Sequence, residues 1–242
     1  MISDILSSFK FTIQSLSYLT KPWVLKYLLI SGLVSTLVYV ISIYSIYQFG
    51  DDLGDLLIAM LVNENTWQWV VTAVEWITRI ILFVALIFVF KYVVLIITSP
   101  FMSALSEDIE ARHSGIARSS QSIGFQIKSM VRGIGLASSN LMREISLVVL
   151  LLIIGLIPVV GIVSTILIFL VQAYYAGFGN IDFFMERRFR IRESRKFVSQ
   201  NKGIAIGNGA VFLTLFIVPL LGAFFAPTIC TISGTLSSLE RT

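Results

Sequence analysis

The chain has 242 residues, of which 56% are hydrophobic and only 13% charged, with a formal net charge of +4. A soluble domain carries nearer ~25% charge, and so few ionic groups cannot cover that much apolar surface in water. Lipid is the solvent that fits. In that setting a basic excess marks loops facing the cytoplasm rather than a nucleic-acid partner.

Residues 1–21 place Ile5, Leu6, Phe9, Ile13 and Leu16 at helical spacing between serines. They lack the basic start, apolar middle and small-residue cleavage site of a secretory leader. Two readings stand: an amphipathic helix along the membrane surface, or a short cytosolic helix packed on the rest. Residues 27–50 hold no charge. At ~1.5 Å per residue they exceed the ~30 Å hydrocarbon core. The first transmembrane helix is therefore drawn at 24–50, with Pro22 near its start and Lys21 and Lys26 at its cytoplasmic end. The second is drawn at 67–98. Trp67, Trp69 and Trp76 crowd its beginning, as interfacial aromatics do. Glu75 and Arg79 stand one helical turn apart, and Lys91 is the only charge from residue 80 to 98.

Residues 99–144 are more polar. Two cytoplasmic helices are expected within 101–143, the first a continuation of the second span past Pro100. Next come two apolar blocks, 145–178 and 203–239. Each is broken near its middle by an apolar-Pro-apolar-apolar-Gly run, at Pro158 to Gly161 and at Pro219 to Gly222. The shared break hints at an internal repeat. Each half has about 13 to 17 residues and measures ~20 to 25 Å, short for a full crossing. Both blocks read as helical hairpins that enter the membrane, turn within it and return. The alternative is a pair of short spanning helices. Backbone that turns at such depth must be buried in protein or line a wet cavity.

Charge sets the orientation. Residues 51–66 contain Asp51, Asp52, Asp55 and Glu64 and no cation, whereas 180–202 carry Arg187, Arg188, Arg190, Arg192, Arg195, Lys196 and Lys202. The positive-inside rule puts the N-terminus and the basic segment in the cytoplasm. The expectation is an all-α integral membrane protein. It is a single membrane domain over 1–242, with two long transmembrane helices, two re-entrant hairpins and cytoplasmic amphipathic helices.

The run from Ser99 to Gly115 reads S-P-F-M-S-A-L-S-E-D-I-E-A-R-H-S-G. It resembles the CysZ-like sulfate permeases, within the wider superfamily of etoposide-induced membrane proteins. Pro100, Phe101, Leu105, Glu107, Glu110 and Gly115 match that family's pattern after the second transmembrane helix. Val218, Pro219, Leu220, Leu221 and Pro227 look like its C-terminal hairpin. The resemblance implies a multi-pass protein of the inner (cytoplasmic) membrane, a small anion such as sulfate as substrate, and no cofactor. The family often carries Pro-Gly-Leu-Arg-Arg before the first span, with the arginines associated with sulfate binding. Here Pro22-Trp23-Val24-Leu25-Lys26 keeps only the charge of Lys26, and the family's Tyr-Pro-x-Asp-Asn motif is blurred around Ile181 to Phe184.

Candidate sites follow from these features. New half-helices starting near Gly161 and Gly222 would present backbone amides and a partial positive charge to an anion. Lys26 and Lys91 add full charges. Lys91 has three readings: it snorkels to the headgroups, pairs with a carboxylate, or lines an anion path. Glu107 and Glu110 share a helical face and are expected to pair with Arg112, Lys128 or Arg132, as a structural lock or a gate. The arginine-rich run rests on anionic headgroups or gathers anions. His113 is the only histidine, so neither a metal cluster nor a catalytic constellation is expected. Gly207-Asn208-Gly209 opens an apolar hairpin and is no phosphate loop. Gly203 and Gly207 are instead placed at close helix contacts. The expected function is anion permeation by a homo-oligomer. The rival is a non-transporting membrane scaffold or lipid-organising protein of the same fold.

Overall fold

A computed structural model describes residues 1–61, 67–115 and 123–242. Among them the chain is helical, with no strand. The helices are α1 (Ile2–Leu19), α2 (Pro22–Leu61), α3 (Gln68–Ser114), α4 (Ile123–Gly155), α5 (Pro158–Met185), α6 (Ile191–Gln200), α7 (Lys202–Phe216) and α8 (Pro219–Leu239). Glu64 lies outside the described residues, and so do the side chains of Glu75 and Arg79.

Helices α2 and α3 have 40 and 47 residues, or ~60 and ~70 Å, well beyond the bilayer core. Pro100 sits inside α3 without ending it. A proline there deprives the carbonyl four residues back of its donor. The Ser99 hydroxyl fills that place, donating to the Ile96 carbonyl at 2.7 Å. Such local repair lets a proline persist in an apolar helix. The helix stops at Gly115, whose φ of 68° is the left-handed cap that glycine adopts without strain.

Two helix pairs meet at sharp corners. Helices α4 and α5 turn at Gly155–Pro158, and α7 and α8 turn at Phe216–Pro219, with Pro158 and Pro219 opening the second helix of each pair. The arms differ in length. Residues 123–143, expected as a separate cytoplasmic helix, run without a break into 144–155. The first pair therefore has arms of 33 and 28 residues, and the second has arms of 15 and 21. Of these four arms only α7, at 15 residues or ~22 Å, falls short of the ~30 Å hydrocarbon core. The tip of the second pair packs Phe216 and Ala223 against Phe90, Val94, Val38 and Tyr39. The Phe90 ring lies 5.6 Å from both Tyr39 and Phe216. Tyr39 stands midway along the charge-free stretch of α2.

Small residues let the helices approach. Where α5 crosses α7, a Cβ on Gly209 would lie 1.7 Å from the Ala173 carbonyl oxygen, and one on Gly177 would lie 1.9 Å from that of Ala205. This is the close backbone packing that glycine and alanine permit in membranes. Helix α1 docks along the second pair in the same manner. Gly203 and Gly207 receive Asp4 and Ser8, and Thr12 and Ser233 share a hydroxyl hydrogen bond of 3.1 Å. The buried face of α1 holds Ser8, Phe11 and Ser15. Its outward face shows Leu6, Phe9, Ile13 and Leu16, the opposite of a water-soluble helix.

The same inversion runs across the molecule. Leu33, Leu37, Leu152, Ile153, Ile162 and Ile166 are all more than half exposed, whereas Lys91, Glu144, Asn180, Asp182 and Asn208 are buried. Among the described residues, four helical stretches are long and apolar enough to cross a membrane: Pro22–Ser45, Phe90–Ser114, Ile127–Gly155 and Val160–Met185. The chain is a multi-pass membrane protein with lipid against its apolar outer faces.

Candidate functional site

The interior between α3, α4 and α5 is a seam of ionised and polar side chains. At one end Lys91 Nζ donates to Glu144 Oε1, and the Tyr92 hydroxyl donates to Glu144 Oε2 at 2.6 Å. The side chains of Lys91 and Glu144 are 3% and 0% exposed. Of the three readings of Lys91, this geometry is carboxylate pairing, without snorkelling. A buried ion that loses its partner is strongly destabilising, so neither charge stands alone.

Toward the basic end, Arg132 grips Asp182 through two hydrogen bonds of 3.0 and 2.8 Å. It also donates to the Phe189 carbonyl at 2.6 Å and to Ser194 at 2.7 Å. One guanidinium thus joins α4, the end of α5 and the start of α6. Between these two pairs lies a cavity of about 20 Å³, lined by Tyr92, Ser99, Asn140, Asp182 and Glu186 among others. That volume accommodates roughly one water. Two buried acceptors on its wall, Asn140 Oδ1 and Glu186 Oε1, have no hydrogen-bond partner among the described residues.

Glu186 lies just beyond the spanning part of α5. Burial pushes its carboxyl up to about 7, and Asp182 adds to the rise, while Ser103, Ser129 and Arg132 oppose it. A raised carboxyl pKa means that the folded state holds a proton which the unfolded state has released. The contribution of the protonated form is complete below pH ~4.5 and gone above ~7. Glu186→Gln removes the titration. In detergent it should be more stable than the parent at pH 8, by up to about 3 kcal/mol, and so melt higher, but melt alike at pH 4.5. Equal melting at both values would refute a buried, proton-holding Glu186.

The expected network of Glu107, Glu110 and Arg112 is wired differently. Glu110 accepts from Arg187 at 2.7 Å and also from Arg188. Arg187 further donates to the carbonyls of Ser103 and Phe183 at 3.1 and 2.8 Å. Arg112 instead lies over the Trp23 ring, 4.4 Å from its centroid. Glu110 therefore binds the far end of α5, and neither Arg132 nor Arg112 is its partner. Long-range packing of α3 on α5 decides this, and helical spacing near Glu110 carries no trace of it. Glu107 is buried, at 8% exposure.

The remaining expected site residues lie apart. Lys26 is 54% exposed and stands 4.0 Å from Asp108, which also accepts from the Tyr27 hydroxyl at 2.7 Å. The amides of Gly161 and Gly222 are already taken, by the carbonyls of Ile157 at 2.9 Å and Val218 at 2.6 Å. A Cβ on Gly161 would lie 2.9 Å from the Gly155 carbonyl oxygen, and one on Gly222 would lie 2.1 Å from that of Leu215. Both glycines serve the tight corner, and neither amide is left for an anion. The corners are clothed in exposed Leu156, Ile157, Ile162, Ile217, Val218 and Leu221, an apolar surface. Asn208 bonds Asn180 and the Cys230 carbonyl, joining three helices. His113 is exposed.

Sequence reading missed Glu144, Tyr92, Asp182 and Glu186. One signal was present. Lys91, alone in its apolar stretch, requires a counter-ion, and Glu144 is the carboxylate at the edge of the next uncharged block.

A bundle of long apolar helices enclosing paired charges defines the class: a polytopic helical membrane protein with an ionic interior. The sequence profile of the family described as sulfate transporter CysZ/etoposide-induced protein 2.4 matches residues 11–227, and the chain belongs to that family. No curated protein sequence matches it significantly.

Proposed function

We propose that the chain is a permease for a small inorganic oxyanion of the sulfate type. It would sit in the inner (cytoplasmic) membrane, N-terminus inside, and work as a homo-oligomer. The observation that carries this reading is the Lys91–Glu144–Tyr92 cluster, an ionised group held inside apolar helices. Charges enclosed among apolar helices are costly and mark ion pathways. An anion entering at the basic end would meet exposed Lys26 first. It would then compete with Glu144 for Lys91, so that exchange of one negative partner for another opens and closes the path. The level of the α7–α8 tip, beside Tyr39 and Phe90, supports a hairpin that ends partway through the bilayer. A copy of the chain would then be needed to wall the route.

One observation favours the rival, a scaffold that transports nothing. Lys91 is fully engaged, and the cavity beside it holds only about one water. Labelled sulfate uptake into proteoliposomes separates the two. Flux above empty vesicles that falls with Lys26→Ala is expected of a permease. Flux equal to empty vesicles overturns permeation.

A further inference from the structure

Helix α6 lays Arg192, Arg195 and Lys196 along one face, at spacings of three and four residues. Opposite them stand Arg143 of α4 and Tyr174 and Tyr175 of α5. Together they line a pocket of about 680 Å³, within the range of roughly 300–1,000 Å³ typical of organic ligand sites and too roomy for a bare tetrahedral ion. Its one carboxylate, Glu193, is occupied in capping its own helix, accepting from the Arg190 amide at 2.8 Å. The Arg195 guanidinium is pinned by a 2.6 Å hydrogen bond to Ser139, yet its Nε is buried without a partner.

The surroundings of Arg143 narrow the ligand further. It is the single exposed charge between residues 134 and 155, flanked by Met142 at 65% and Ile145 at 40% exposure. Lipid-facing apolar side chains thus run directly up to a cation cluster. A cation left bare against hydrocarbon is costly. A phosphate attached to acyl chains satisfies both halves of this surface at once, and free sulfate or phosphate satisfies only one.

We propose that this pocket binds the headgroup of an anionic phospholipid. The phosphate meets Arg143, Arg192, Arg195 and Lys196, the tyrosines flank the glycerol, and the tails lie along Met142 and Ile145. The site is independent of Lys91 and of any transport.

The test is native mass spectrometry of the purified protein in neutral detergent, titrated with phosphatidylglycerol or with phosphatidylcholine. Phosphatidylglycerol should be retained preferentially. Its affinity should fall about a hundredfold in a triple Arg143→Gln, Arg192→Gln, Lys196→Gln variant, from the loss of three interfacial cations. All three side chains are exposed, so the fold is expected to persist. Arg192→Lys with Lys196→Arg should keep binding and exclude a purely structural effect. Equal retention of the two lipids, or undiminished retention in the triple variant, overturns the proposal. Displacement of phosphatidylglycerol by inorganic sulfate at millimolar levels overturns it in favour of a free-ion site.

Discussion

Lys91→Met should destabilise the folded protein by about 3–5 kcal/mol, the usual consequence of stranding one member of a buried ion pair. The methionine fills similar space, so the loss comes from Glu144, which remains at 0% exposure with only the Tyr92 hydroxyl to stabilise it. Converting the partner as well separates charge from packing. Lys91→Met with Glu144→Leu should regain most of the loss, because an apolar pair of similar volume is tolerated where a single charge is not. Denaturation in mixed detergent reads the parent and both variants. A single variant as stable as the parent would show that the pair contributes no net coupling. If the pair also gates permeation, the double variant will fold and yet carry no sulfate.

Gly209→Val is the second large effect. Its Cβ would fall 1.7 Å from the Ala173 carbonyl oxygen, and the obstacle is backbone, which cannot rotate away. Helices α5 and α7 must separate, carrying with them the Gly177–Ala205 contact one turn along. The close approach of these helices is itself the attraction in lipid, since no hydrophobic force holds them together there. The expected result is failure to fold stably, seen as loss of a monodisperse elution peak. Gly135→Ala is the matched control. Nothing lies within 4 Å of a Cβ at that position, so the better helix former should stabilise by about 0.5–1 kcal/mol. Normal elution of Gly209→Val would refute the crossing.

The membrane character was legible because it depends on local runs: residues 27–50 and 145–178 announce themselves by lacking charge. The corners were legible for the same reason: Pro158 and Pro219 each interrupt an apolar run three residues before a glycine, and each opens the helix that follows. The proline inside α3 was foreseen to leave the helix whole, and Ser99 supplies the physical reason. Partners were much less visible. Arg132 meets Asp182, and Glu110 meets Arg187, across separations of 50 and 77 residues, and helical periodicity says nothing about such distances. The helix N-termini at the corners illustrate a different limit. A terminus has spare donors in principle, but here the first turn folds onto Ile157 and Val218 and uses the glycine amides itself.

The tip of the second hairpin packs beside Tyr39, while α2 continues to Leu61, roughly another 30 Å. Past the tip, α2 turns Val40, Ile41, Ile43, Tyr44, Leu56 and Met60 outward. Water would not tolerate so continuous an oily strip, so acyl chains or a second greasy surface must clothe it.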